Sequence, residues 1–99
     1  MQLRSLSHQP AYDAHGIEIF GSAQKAEEAL TAATLVIARH DQIAGYPIAA
    51  ETNKGPLFAF KTRETEAFPG VVIYYTISPD NDQITLWDIT PHLPDDEDW

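Results

Sequence analysis

The segment Val71–Ile89, VVIYYTISPDNDQITLWDI, constrains the fold most because it specifies a β-hairpin by itself. Its first residues follow a two-residue period, which places alternate side chains on opposite faces of a sheet. Residues 79–82, Pro-Asp-Asn-Asp, break this run with turn-forming residues, and the alternation resumes from Ile84. The neighbours Tyr74 and Tyr75 are therefore expected on opposite faces, with packing in the sheet as their main role.

A helix over about residues 23–40 is predicted ahead of the hairpin. Ser22 is a suitable N-cap, because its hydroxyl can accept a hydrogen bond from an amide of the first turn. Six apolar residues then recur at steps of three and four, which is typical of a helix that buries one face; they are Ala26, Ala29, Leu30, Ala33, Val36 and Ile37. Residues 11–21 fit either a short helix entered at Pro10 or a strand around Ile17–Ile19, and the helix is favoured.

The remaining segments predict an α+β domain. Gly45–Pro56 is rich in glycine and proline and predicts a loop, and residues 57–63 predict a strand. One or two N-terminal helices would thus pack on an antiparallel sheet of three to four strands. Leu3 and Leu6 would either add the fourth as a short edge strand or cap the core. We expect one domain over residues 1–91 and a flexible acidic tail over 92–99.

Charge is the strongest global feature of the composition. Fifteen acidic residues against six basic ones give a net charge of -9, so direct nucleic-acid binding is not favoured, because polyanion binding requires a basic surface. No cysteine is present and no histidine pair has a zinc-binding spacing, so we expect neither a metal nor a cofactor. No apolar run could cross a bilayer, and a cytoplasmic location is the default expectation.

Two segments resemble the RelE/ParE toxin superfamily of bacterial toxin–antitoxin systems. SAQKAEEALTAATLVIARH followed by AGYPI is similar to the second helix and following loop of that family, and PGVVIYYTISPDNDQITLWDI is similar to its central strand, acidic turn and next strand. The resemblance covers about residues 11–91 and implies a helical hairpin on an antiparallel meander. It also implies a cognate antitoxin as partner, with a ribosome or gyrase as cellular target.

The departures from this family weaken an enzymatic interpretation. Members that cleave messenger RNA on the ribosome carry basic residues on the sheet, whereas Val71 or Val72 stands where the central strand usually has arginine. The best catalytic set in this sequence is Lys61, Arg63 and His92. On one strand face the two cations could position a phosphate while His92 moves a proton.

Two tryptophans are candidate partner-binding residues. Trp87 is expected on the exposed sheet face, where an aromatic ring can anchor a partner, and Trp99 ends the acidic tail.

Three functions remain open. The first is a RelE/ParE-like toxin or diverged relative that acts through a protein partner, and the second is a ribosome-dependent mRNA endonuclease. The third is an acidic adaptor or inhibitor that binds a basic protein through its tail.

Overall fold

The structure, a computed structural model, describes residues 3–39, 43–52 and 55–92 and has an α+β fold, as predicted. The helical hairpin and the last hairpin of the sheet both form. Two helices and five strands follow one another in the order β1 (Ser5–His8), α1 (Pro10–Phe20), α2 (Ala23–Ala38), β2 (Tyr46–Thr52), β3 (Gly55–Lys61), β4 (Val71–Ile77) and β5 (Gln83–Pro91). None of the described helices is long and apolar enough to cross a membrane.

The five strands form one mixed sheet in the order β1-β5-β4-β3-β2. Strands β2 to β5 make an antiparallel meander, whereas β1 pairs in parallel with β5. The prediction of a purely antiparallel sheet with three to four strands is therefore wrong in both strand count and orientation. A parallel pair needs a long crossover connection, and here the chain between β1 and β5 includes both helices and the other three strands.

Strand β2 is the main error of the sequence-based prediction, which assigned Gly45–Pro56 to a loop. β2 lies at the sheet edge, where a proline such as Pro47 can be accommodated because one side of the strand needs no ladder partner. Its pairing with β3 shifts register between Pro47 and Glu51. Proline content thus marked an irregular edge strand rather than a loop.

The helices agree closely with the prediction. The segment that fitted either a helix or a strand forms a helix: α1 has Pro10 in its first turn and ends at Phe20, and Gly21 caps it with a left-handed φ of 97°. The Ser22 hydroxyl caps α2 by accepting a hydrogen bond from the Lys25 N–H at 3.1 Å. Helix α2 ends at Ala38, two residues before the predicted boundary.

One hydrophobic core lies between the helices and the inner face of the sheet. Its strand residues alternate with the outer-face residues, so Tyr75 is 1% exposed while Tyr74 is only half-buried. The Tyr75 ring stacks on Phe58 at 5.6 Å, and its hydroxyl accepts a hydrogen bond from the Gly45 N–H at 2.9 Å. A side chain at Gly45 would overlap the Ala59 carbonyl oxygen, so only glycine permits this close approach.

The end of α2 is held by Arg4, which is 4% exposed and was not singled out in the sequence. Its guanidinium donates to the Arg39 carbonyl at 2.6 Å and to the Asn81 side-chain oxygen at 2.8 Å. Its backbone N–H donates to the Ala38 carbonyl at 2.6 Å. A cation at the C-terminus of a helix satisfies free carbonyls and complements the negative end of the helix dipole.

Candidate functional site

The proposed catalytic residues lie near one end of the sheet. Lys61 is the last residue of β3, and Arg63 follows two positions later. His92 comes directly after β5, and its backbone N–H donates to the Gly70 carbonyl at 2.9 Å. Strand β4 runs antiparallel to both β3 and β5. The start of β4 therefore lies between the end of β3 and the end of β5.

The His92 ring makes a defined contact at this end of the sheet. Its Nδ1 lies 3.1 Å from the Thr62 carbonyl oxygen, which can only accept, so Nδ1 must carry the proton. In the neutral ring, Nε2 is therefore the unprotonated nitrogen. This Nε2 is buried and has no hydrogen-bond partner within the described part of the chain. The ring thus links the ends of β3 and β5, with its basic nitrogen turned away from solvent.

Lys61 and Arg63 do not share a strand face, in contrast to the sequence-based expectation. Lys61 is opposite Val72 on the outer face of the sheet, and Phe60 points to the inner face. The strand ends at Lys61, so the alternation does not extend to Arg63. Arg63 instead lines a groove together with Phe60, on the side of the sheet that carries the helices.

Trp87 is half-buried rather than free on the sheet face. Its indole N–H donates to the Thr76 hydroxyl at 2.9 Å, so the polar edge of the ring is already satisfied within the sheet. It lies where the register between β4 and β5 shifts by one residue, as in a β-bulge. Trp99, the other expected partner-binding residue, lies outside the described residues.

A groove of about 320 Å³, here called the helix–sheet groove, runs between α2 and the sheet near Arg63. Two of its aromatic rings, Phe20 and Phe68, meet edge to face at 5.9 Å. Its lining is mostly apolar and comprises Phe20, Ala29, Leu30, Ala32, Ala33, Val36, Phe60, Thr62, Arg63, Thr65, Phe68, Pro69 and Val71.

Arg63 gives the helix–sheet groove its charge. It is exposed, and its guanidinium has no hydrogen-bond or ion-pair partner among the described residues. No carboxylate is found among the residues that line this groove. An occupant would therefore meet an apolar wall and one unpaired positive charge.

A second groove, here called the helix–helix groove, lies between α1 and α2 and has a volume of about 470 Å³. It contains a hydrogen bond between two side chains, with His8 Nδ1 3.0 Å from Asp13 Oδ1. Its lining comprises His8, Tyr12, Asp13, Gly16, Ile17, Ala23, Ala26, Glu27, Leu30, Thr31 and Thr34. No lysine or arginine is among these residues, whereas two carboxylates are.

The sequence contains one local signal for this second groove, on helix α2. Ala23, Glu27 and Thr34 recur at steps of four and seven, which places them on one face of α2 beside the buried stripe. Which residues of α1 face them depends on the packing of the two helices, where Gly16 lies against Ala26. Asp13 and His8 are therefore found only from the structure.

Comparison with known proteins does not identify a family for this chain. The chain matches no protein-family model, no curated protein and no solved structure. Among the described residues, no cluster of three or more histidine, aspartate or glutamate side chains could hold a metal ion. The two grooves and the end of the sheet are therefore the candidate functional surfaces of the described residues.

Proposed function

We propose that this chain is a RelE/ParE-like toxin of a toxin–antitoxin system, or a diverged relative, which acts mainly by binding a protein partner. The helix–sheet groove carries this proposal, because it is the place where an apolar surface adjoins an unpaired positive charge. The order of a helical hairpin followed by an antiparallel meander supports the same family. In that family the antitoxin wraps the toxin with a helix and a strand; we infer that the cellular target also binds through this groove, so that blocking the groove would remove growth arrest.

The groove indicates what the bound segment looks like. Its phenylalanine-rich wall fits an apolar side chain, since burial of apolar surface contributes about 25 cal/mol per Å². Arg63 on the rim fits a carboxylate, which an arginine can bind with two parallel hydrogen bonds. The partner segment is therefore an apolar residue with an aspartate or glutamate nearby, as on an amphipathic acidic helix.

A second candidate, a ribosome-dependent mRNA endonuclease, is favoured by the position of His92. The fixed proton on Nδ1 leaves Nε2 as a base, and Arg63 follows directly after the Thr62 carbonyl that holds the ring. Nε2 is buried, so catalysis would require the ring or its surroundings to move. Partner binding needs no such movement and is the better-supported function.

Inducible expression in a bacterial host, with growth and messenger-RNA cleavage recorded together, tests the proposal. Ala32 is an exposed wall residue of the helix–sheet groove, and Ala32→Trp would block this groove from the surface of α2. Thr31→Trp is the matched control, because Thr31 is the exposed neighbour on the same helix but lines the other groove. Both variants place the same large side chain on the same element.

We expect growth arrest without new cleavages, lost in Ala32→Trp and retained in Thr31→Trp. Cleavages inside translated codons that disappear in Lys61→Ala, Arg63→Ala and His92→Gln would establish the endonuclease instead. No arrest at confirmed soluble expression would contradict an active toxin in that host. A diverged binding domain would then be tested with an acidic amphipathic peptide, whose affinity should fall in Arg63→Gln.

A further inference from the structure

The helix–helix groove has a rim that is rich in hydrogen-bond acceptors. Asp13 and Glu27 contribute two carboxylates from opposite helices. The Asp13 carboxylate is hydrogen-bonded to His8, whereas the Glu27 side chain has no partner among the described residues. With no lysine or arginine in the lining, the rim attracts cations more strongly than anions.

The hydroxyl groups of the groove reinforce this preference. The Thr31 hydroxyl donates to the Glu27 carbonyl at 2.6 Å, and the Thr34 hydroxyl donates to the Leu30 carbonyl at 2.9 Å. Because each hydroxyl has one proton, both present only lone pairs to an occupant. Burial, with Asp13 nearby, raises the pKa of Tyr12 to about 12, so this phenol adds no negative charge at neutral pH.

The floor of the groove is apolar and continues onto the surface. Gly16, Ala26 and Leu30 form a smooth base between the helices. Ile17 lines the groove and is still 43% exposed, so the apolar surface extends beyond a single side-chain cavity. Long cationic side chains suit such a surface, since their methylene stems pack on apolar atoms while the charged end stays at the rim.

We propose that the helix–helix groove binds a basic amphipathic helix of a partner protein, with a lysine or arginine of that helix seated between Asp13 and Glu27. The overall charge of -9 steers such a partner towards this chain. A second copy of the chain does not supply this helix, because α1 has no lysine or arginine and α2 has only Lys25. This site is separate from the helix–sheet groove and requires a different partner surface.

Titration calorimetry and heteronuclear NMR with three probes test this inference on the full chain. The first probe is a synthetic helical peptide with leucine on one face and arginine on the other. The second has glutamate in place of each arginine, and the third is butylguanidinium, a small cation with a short apolar stem. We expect only the arginine peptide to bind measurably and to shift the amide signals of Gly16, Ala26 and Thr34.

Two neighbouring glutamates provide the matched variants. Glu27→Gln should weaken binding of the arginine peptide by about two- to fivefold, the range of an exposed ion pair. Adding Asp13→Asn should weaken it by about tenfold in total. Glu28→Gln removes the same charge from an exposed neighbour outside the groove and should leave the affinity unchanged.

Three outcomes would overturn the proposal. Equal losses in Glu27→Gln and Glu28→Gln would mean that overall charge, not the groove, attracts the peptide. Equal binding of the glutamate peptide would remove the role of the carboxylates. Binding of butylguanidinium in the groove without binding of the arginine peptide would assign the site to a small cation rather than to a partner helix.

Discussion

The two grooves lie on opposite flanks of the buried stripe of α2, and Leu30 lines both of them. They differ in the element that faces the helix. Helix α1 brings Asp13 to the helix–helix groove, whereas the connection after β3 brings Arg63 to the helix–sheet groove. Local charge is therefore set by topology, and within a chain of net charge -9 the lining of the helix–sheet groove carries one positive charge and no negative one.

The largest expected effect comes from the residue that separates the grooves. Leu30 is 6% exposed, so Leu30→Ala should lower the free energy of unfolding by about 2–5 kcal/mol, because it leaves a cavity in the core. It should also join the two grooves and weaken both peptide interactions. Chemical denaturation measures the stability, with titration of the acidic and basic peptides on the folded variant.

Leu35→Ala is the control for this prediction. Leu35 lies on the same helix but is 51% exposed, so the same substitution there should change the free energy of unfolding by less than about 0.5 kcal/mol. If Leu30→Ala weakened only one of the two peptides, Leu30 would support the wall of that groove alone.

The second prediction concerns Arg4, which holds the end of the helix that both grooves share. Arg4→Met keeps much of the side-chain volume but removes donors to the carbonyls of Ile37 and Arg39. We expect a loss of about 2–3 kcal/mol in the free energy of unfolding, since these carbonyls accept from a buried charged group. Denaturant titration measures it.

Lys25→Met is the matched control, because Lys25 is an exposed cation on α2, the helix whose end Arg4 holds. An equal loss in both variants would show that the decrease follows from removing positive charge in general. Hydrogen exchange gives a local readout: in Arg4→Met, protection should fall most in the last turn of α2.

The third prediction concerns the opposite charges of the two grooves, Arg63 in the helix–sheet groove and Glu27 in the helix–helix groove. Arg63→Gln should weaken the acidic peptide by about two- to fivefold and leave the basic peptide unchanged, and Glu27→Gln should have the reverse effect. In the double variant the losses should add, because Arg63 and Glu27 lie in different grooves and share no hydrogen-bond or ion-pair partner among the described residues. A non-additive result in calorimetry would indicate that the two grooves are coupled through α2.

The sequence predicts those parts of the fold whose signals are local. The Val71–Ile77 strand, the Ser22 cap and the periodicity of α2 each depend on a few neighbouring residues, and each is confirmed. β1 lies where the sequence suggests a short edge strand, near Leu6, but its four exposed residues SLSH carry no signal for the direction of pairing. Its parallel pairing with β5 involves residues far apart in the chain.

The candidate site was less predictable for the same reason. Lys61, Arg63 and His92 were chosen for their chemical type, and the structure brings His92 to the Thr62 carbonyl but places Lys61 and Arg63 apart. The grooves arise where helices meet each other and the sheet, and such contacts have no signature in a single segment. Asp13 and Glu27 become neighbours of one groove only through the crossing of α1 and α2.

The smallest expected effect is a pH dependence of stability that arises where helix α1 attaches to the sheet. Helix α1 forms one side of the helix–helix groove, and His15 on α1 pairs with Asp88 on β5 at 2.6 Å. The hydrogen bond and charge of Asp88 raise the pKa of His15 above its ordinary value of 6.5. The folded protein therefore holds this proton more tightly than the unfolded chain does.

It follows that the pair stabilises the protein fully below pH 6.5, and that this contribution is lost as the pH rises through the raised pKa. Thermal unfolding of wild type and His15→Gln should show a small difference in Tm at about pH 5.5 that shrinks as the pH rises through the raised pKa of His15. The effect is small because both side chains are accessible to solvent, with 48% of the His15 and 38% of the Asp88 side chain exposed. A difference that grew with pH would have the opposite sign, and α1 would then depend on other contacts for its attachment to the sheet.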